Sequence, residues 1–450
     1  MMRKYEVVVA GGGVSGSIAA IAAARAGAAT LIIEAGGFLG GTLTAAGVGP
    51  MMTFHAGHKQ AIQGITDELI QRLQALGKSP GHIPDATNYT YSVTPFDAEA
   101  MKYELDLMLQ ESGGEVLYHT MLAGAEVSGR RIESLTLCNK AGLSRITADV
   151  FIDATGDGDL AAWSGVPFTK GRESDEQSQP MTLKMKMRGV DTEKIKAYIR
   201  EHREDFPRMN LDITVMDSAA RLSVAGFDKQ FREAKSRGEI SIPREDVLFF
   251  ETSNPGEIIM NTTRILGKDS TDPWSLSEAE IEGRRQCREL ELFLKKYIPG
   301  FEESVVVSTG PSIGVRGSRQ IKGLYTLTAQ DILSVKPFAD VIAHSGYPID
   351  IHSPDGEGTA TDHLEWGAMY GIPYRCLITN EIDNLIVVGR CLSATFEAQA
   401  AVRTTPTVGA IGQAGGTAAA LAVKEGVPVQ QVDYKKLQQT LVAHGAYLEV

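Results

Sequence analysis

Residues 7–34, VVVAGGGVSGSIAAIAAARAGAATLIIE, most restrict what this chain can become. Val7, Val8, Val9 and Ala10 form a short apolar run that reads as a buried strand. Gly11, Gly13 and Gly16 follow with the spacing G-x-G-x-x-G, and an alanine-rich helical run continues to Ala26. Gly27 stops that helix, 31–33 make a second strand, and Glu34 stands at its end. Each position has a job in such a unit. The first glycine allows a tight turn, the second leaves bare backbone for a pyrophosphate, and the third lets helix and strand approach. The helix then points free N–H groups and the positive end of its dipole at the anion. An acid at the end of the second strand is placed to bind a ribose hydroxyl. The stretch predicts a dinucleotide site; its bland alternative is an ordinary βαβ turn.

Composition narrows the partners. A formal charge of −12 over 450 residues argues against nucleic acid or an anionic membrane as the main partner, because both require a basic face. Hydrophobic content of 43% with 22% charged residues is that of an ordinary soluble globular chain, and the length suggests two or three domains. Cys138, Cys287, Cys376 and Cys391 lie far apart without a C-x-x-C pair, which is neither a disulfide framework nor a zinc pattern. Reduced, buried thiols and no metal site are expected. The first apolar run is too short for a signal peptide, and 409–423 is shorter than a bilayer span and carries Gln413. A cytoplasmic protein without a membrane span is the expectation.

Further along, the glycine pairs Gly36–Gly37 and Gly40–Gly41 follow Glu34 directly, where backbone pressed against a ligand is expected. Ile62, Ile65, Leu69, Ile70, Leu73 and Leu76 mark an amphipathic helix, and Asp97 caps the next one. A strand at 116–121 and an antiparallel meander over 126–149 lead into a buried strand at 150–154 and a second glycine turn, Thr155-Gly156-Asp157-Gly158-Asp159. Composition shifts near Thr169 to a more charged block. There Met181, Met185 and Met187 alternate with Lys184, Lys186 and Arg188, as in a strand with one dry face. Ser277 and Glu280 read as a capping box for a helix over 277–298. From 305 the strand-and-glycine texture returns, with a buried strand before Gly389 and a helix of small residues over 407–423. The fold expected is α/β: a Rossmann-like dinucleotide-binding domain with a parallel sheet, helices and a small antiparallel meander, interrupted by an inserted α+β substrate or cap domain. Its parts are 1–168, the insertion 169–301, a return segment 302–380 shared with the substrate site, and 381–450.

The glycine motif alone does not separate NAD from FAD; later segments do. GGGVSG, Glu34, DATGDGDLA (153–161), NLIVVGRCLSA (384–394) and AVRTTPTVGAIGQAGGTAAALA (401–422) together resemble the FAD-dependent oxidoreductase family. That family belongs among the glutathione-reductase-like flavoproteins, near the fumarate-reductase and thiazole-synthase-like branch. PFDAEAMKYELDLMLQE (95–111), GVRGSRQIKGLYTLT (314–328), YPIDIH (347–352) and YGIPYRCLI (370–378) fit as well, so the resemblance covers nearly the whole chain. It implies FAD in an extended pose, and non-covalent binding is expected. Its cofactor-binding candidates are Gly11, Gly13, Val14, Ser15, Gly16, Glu34, Ala35, Gly40, Gly41, Thr42, Ala154, Thr155, Gly156, Gly389, Arg390 and Gly409. No second glycine unit with its own acid is present for a nicotinamide domain.

A flavin dehydrogenase needs a group that handles the substrate's proton and groups that hold the substrate. His55 and His58 follow the flavin-side loop, and His352 stands two residues after Asp350, on one face if the segment is a strand. Arg316, Arg319, Arg375 and Arg403 lie in the family-matching segments and can clamp a carboxylate. The resemblance also implies that an arginine can donate the proton, and that His55 is the residue to suspect if the flavin were attached through histidine. His55, His352, Arg316 and Arg375 are the catalytic candidates. Tyr374 and Cys391 read more plainly as core. The activity expected is hydride transfer between flavin and a small polar substrate (hydroxy acid, sugar derivative or enoic acid), with the electron acceptor and oligomeric state left open. The alternatives are a nicotinamide-dependent dehydrogenase and a protein whose flavin is structural.

Overall fold

In a computed structural model, which describes residues 5–87, 89–210 and 212–449, the glycine-bearing stretch forms strand, turn, helix and strand. These are β1 (Val7–Ala10), α1 (Val14–Arg25) and β2 (Thr30–Ile33). Glu115–Leu117 (β3), Val150–Asp153 (β4) and Leu385–Val387 (β5) complete a five-stranded sheet in the order β5-β4-β1-β2-β3. All its pairings are parallel, with Ala10 level with both Ile33 and Asp153, so the glycine turns after β1 and β4 open at one edge. A sheet covered on both faces needs continuous apolar strands, and β1, β2, β4 and β5 are buried at every position. The meander forms from Met121–Ser128, Arg131–Asn139 and Gly142–Ile146.

Thr405–Glu425 (α2) is the helix of small residues, and it lies across α1. A side-chain carbon on Gly412 would sit 2.3 Å from the Ser15 carbonyl oxygen, and one on Gly416 would sit 2.1 Å from that of Ala19. The two backbones therefore touch, which explains a glycine content that lowers intrinsic helix stability.

A second sheet, antiparallel, runs Ser223–Gly226, Val247–Glu251, Glu257–Met260, Met185–Arg188, Val305–Thr309. Met185 and Met187 point into its core, which the helix Pro273–Tyr297 covers. The sheet takes its edge strand from 305–309, within the return segment. One sequence expectation changes here. The long helix starts before Ser277: Asp272 accepts a bond from the Trp274 N–H at 3.0 Å, and Pro273 occupies the first turn, where its missing N–H costs nothing. Ser277 is interior and donates to the Pro273 carbonyl, while Glu280 accepts from the Ile313 N–H. Phe168–Lys170 pairs with Arg319–Ile321, tying both ends of this block to the first sheet's region. Among the described residues no helix is long and apolar enough to cross a membrane, and no group of His, Cys, Asp and Glu is arranged to hold a metal ion.

Candidate functional site

One cavity runs from the glycine turns of the parallel sheet to a charged cluster carried by the return segment and the second sheet. At its first end Gly11, with φ +100°, makes the turn beside the Ala154 carbonyl. No heavy atom lies within 4 Å of where a Gly13 side-chain carbon would stand, so bare backbone faces the cleft. Glu34 is fixed on the wall by two N–H donors, Gly12 at 2.7 Å and Gly36 at 2.6 Å, one to each oxygen. Each oxygen keeps a free lone pair for a ribose hydroxyl. Val14, Ser15, Gly41, Thr42, Ala154, Thr155, Gly156, Gly389 and Arg390 also line this end. Asp153 is buried beneath it and accepts the N–H groups of Thr155 and Ala161, which shapes the second turn. Arg390 pairs with Asp157 at 3.0 Å, yet its buried Nε has no partner. The open cradle at Gly13, the anchored acid and an unsatisfied guanidinium N–H fit a bound pyrophosphate and ribose.

Four candidates play supporting parts rather than lining the cavity. Gly16 packs against the Gly11 carbonyl, where a side-chain carbon would come within 1.9 Å. Gly40, at φ +102°, donates to the Gly12 carbonyl. Ala35 stands off the wall, and Gly409 faces Thr66 of the helix Ile65–Ala75. The wall expected at Gly409 comes a turn earlier, at Thr404, Thr405 and Val408. There the N-cap Thr404 makes no side-chain capping bond, which leaves the positive end of a 21-residue helix at the cavity. Ser15 donates to the Val408 carbonyl at 2.8 Å and ties the first turns of α1 and α2 together.

At the far end Asp350 gathers three partners on one oxygen: the Tyr347 hydroxyl at 3.2 Å, His352 Nε2 at 3.3 Å and Arg403 Nη2 at 3.4 Å. Asp350 and His352 share a face of the strand Ile349–His352, as the Asp-x-His spacing predicts. Arg316 donates to the Pro180 carbonyl and the Thr182 hydroxyl and, among the described residues, faces no carboxylate at ion-pair distance. Arg403 Nε is buried without a partner. Burial, reinforced by Arg403, lowers the Arg316 guanidinium to about 9. Burial opposes ionisation of Asp350, but His352 and Arg403 together hold it well below the usual carboxylate range. Burial and then Arg316 lower His352 to about 3, so its imidazole is neutral at pH 7.

This cluster sets an acid limit on stability. His352 takes up a proton near pH 6.5 when unfolded but only near 3 when folded, so the unfolded chain binds more protons between those values. Its contribution is complete above pH 6.5 and falls by about 1.4 kcal/mol per pH unit below it. His55, lowered to about 4 by burial and then by His82, acts in the same direction. The Asp350 contribution, by contrast, is kept until the pH falls through the ordinary carboxylate range. Urea unfolding across pH 7.5 to 4.5 should show stability declining from about pH 6.5, with the slope reduced by one proton in His352→Gln. An unchanged slope in that variant would mean that His352 is protonated in the folded protein.

Several sequence candidates lie elsewhere. Arg375 is half-exposed, pairs with Asp340 at 2.9 Å and covers the Tyr325 ring, so its charge is already spoken for outside the cavity. His55 bonds Ser92 Oγ through Nδ1 at 2.8 Å and does not line the cavity, nor does His58, which bonds Tyr91. Arg319 pairs with Asp159. Tyr374 donates to the Val429 carbonyl in the core, and Cys391 is fully buried. The cavity also contains residues that sequence reasoning passed over: Lys184, Phe250, Asn261 and Tyr347. For Lys184 the sequence signal is its alternation with the methionines of a strand with one dry face, which gives its face but not what covers it.

Comparison with solved structures finds low identity over nearly the full chain. A geranylgeranyl bacteriochlorophyll reductase-like protein from Thermoplasma acidophilum is 13% identical, with 98% of this chain and 83% of that one aligned at a TM-score of 0.49. A p-nitrophenol 4-monooxygenase from Pseudomonas putida is 12% identical over 99% and 89% of the two chains, at a TM-score of 0.49. L-proline dehydrogenase from P. horikoshii is 13% identical over 98% and 99%, at 0.45. No curated protein matches the sequence. The family model for FAD dependent oxidoreductases matches residues 6–441. The cofactor is FAD, and the residues at the first end of the cavity fit its dinucleotide part. The chain belongs to the FAD dependent oxidoreductase family, and it is an enzyme of that class.

Proposed function

We propose that the protein oxidises or reduces a small polar substrate bearing a carboxylate, bound at the end of the cavity where Arg316, Asp350, His352 and Arg403 meet. The observation that carries this reading is the charge balance there: two enclosed guanidiniums face a single carboxylate. A buried cation without a counter-ion is costly, and an anionic ligand removes that cost. FAD, when bound, supplies the two-electron exchange with the substrate. Arg316 and the free Nε of Arg403 hold the substrate carboxylate, and Asp350 orients the His352 ring. His352 takes or returns the proton at the reacting carbon or its hydroxyl. A base lowered to about 3 is weak, but Arg316 is one cause of that lowering. A carboxylate bound against Arg316 offsets it and brings the imidazole back toward its working range.

An anaerobic screen of hydroxy acids, unsaturated acids and sugars, following flavin absorbance, tests the proposal. Bleaching of the oxidised flavin by a hydroxy acid, or return of colour to dithionite-reduced flavin on adding an unsaturated acid, is expected, in either case not with the methyl ester or amide. Equal bleaching by acid and ester, or by neutral sugars alone, would overturn it.

A further inference from the structure

Lys184 is a buried amine of the cavity that no acid answers among the described residues. It precedes the strand Met185–Arg188 and turns to the face opposite Met185 and Met187, where it is buried and lines the cavity. Among the described residues its ammonium makes no hydrogen bond and no ion pair. Arg316, Arg244 and Arg403 are the charged groups that act on it, and burial with these three pushes its proton affinity well below that of an ordinary lysine. The guanidiniums have their own partners. Arg244 bonds Asp246 at 3.1 Å, Arg403 has Asp350, and Arg316 has Pro180 and Thr182. Opposite Lys184 the ladder pairs Met185 with Met260, and the next position along the partner chain is Asn261. Asn261 also lines the cavity, with its buried Oδ1 unpartnered. With a proton on Lys184, which a second bound anion favours, the far wall carries Lys184, Arg316 and Arg403 against Asp350, a surplus that one substrate carboxylate does not offset.

Resting on the reading that Arg316 and Arg403 take the first carboxylate, we propose that Lys184 holds a second anionic group of the substrate, so that the enzyme selects small dianions over monoacids. The second group is a carboxylate or a phosphate-like anion, and Asn261 beside it accepts a hydrogen bond from a hydroxyl or amide on the same part of the substrate. A strand-borne ammonium suits this role because the sheet fixes its distance from Arg316, so the spacing between the two anions becomes a selected length.

The test uses the FAD-loaded protein, with dissociation constants read from the flavin absorbance change and repeated by calorimetry. Malonate, succinate, glutarate and 3-phosphonopropionate are compared with propionate, butyrate and valerate. In the wild type the best dianion should bind at least about tenfold more tightly than the best monoacid. Lys184→Met should reduce that advantage to less than about twofold while leaving monoacid binding in place, and Lys184→Arg should retain most of it. The phosphonate arm tells which anion is preferred. Lys184→Met removes a buried amine without a partner, so its melting temperature should not fall; Lys184→Gln serves as a second neutral variant. An undiminished dianion advantage in both neutral variants, or none in the wild type, overturns the assignment to Lys184. If neither dianions nor monoacids bind the wild type, the carboxylate reading itself fails.

Discussion

Gly13→Glu should give a protein that folds yet purifies without yellow colour. The position of a Gly13 side chain is open, with no heavy atom within 4 Å, so the substitution disturbs no packing within the protein. It places a carboxylate where the pyrophosphate must lie, at a helix terminus whose free N–H groups it then occupies. Loss of FAD affinity by more than about a thousandfold is expected, equivalent to about 4 kcal/mol. The ratio of absorbance at the flavin band to that at the protein band reads the loss. Circular dichroism and thermal melting must be compared with FAD-stripped wild type, because bound cofactor itself raises stability. Gly16→Ala provides the contrast: its added carbon would lie 1.9 Å from the Gly11 carbonyl oxygen, so it should lower the stability of the stripped protein as well. Full colour in Gly13→Glu would place the dinucleotide elsewhere.

Asp350→Leu should destabilise the protein by about 3–5 kcal/mol, because it leaves buried charges unanswered. The Asp350 carboxyl is the acceptor for Tyr347, His352 and Arg403, and its side chain is 9% exposed. Asp350→Asn keeps an acceptor and should lose less. Acetate or malonate at high concentration should restore part of the melting temperature of Asp350→Leu by supplying the missing negative charge, whereas sodium chloride should restore less. The same variant removes the orienting partner of His352, so turnover should fall further than its remaining folded fraction explains. A melting temperature equal to that of the wild type would show that Arg403 and His352 are satisfied without Asp350.

The parallel sheet was legible because each of its parts is local. Apolar runs, a glycine spacing and a terminal acid all lie within a few turns of one another in 7–34, and 150–159 repeats half of the pattern. Asp350 and His352 share a face for the same reason, since strand alternation needs only two residues to be read. What depends on partners remote in sequence was not legible. Arg375 stood in a family-matching segment, but Asp340, 35 positions away, takes its charge. The alternation over 184–188 gives Lys184 the face opposite the methionines, but nothing local tells that the second sheet turns that face toward the cavity. Ser277 and Glu280 had the right spacing for a cap, and Pro273 outweighed them by fixing the helix start four residues earlier. Gly409, expected on the ligand side of its glycine-rich helix, instead admits Thr66.

The backbone contact between α1 and α2 sets a rigid gauge across the molecule. One helix begins at the pyrophosphate turn and the other at the wall near Thr404, and Gly412 and Gly416 leave no slack where they cross. The two helix ends at the groove are thus held together by direct backbone contact, separately from the second sheet, which contributes Lys184, Phe250 and Asn261 to the opposite wall. Descendants of such a chain can exchange those wall residues and accept a new substrate while the groove that grips FAD keeps its dimensions.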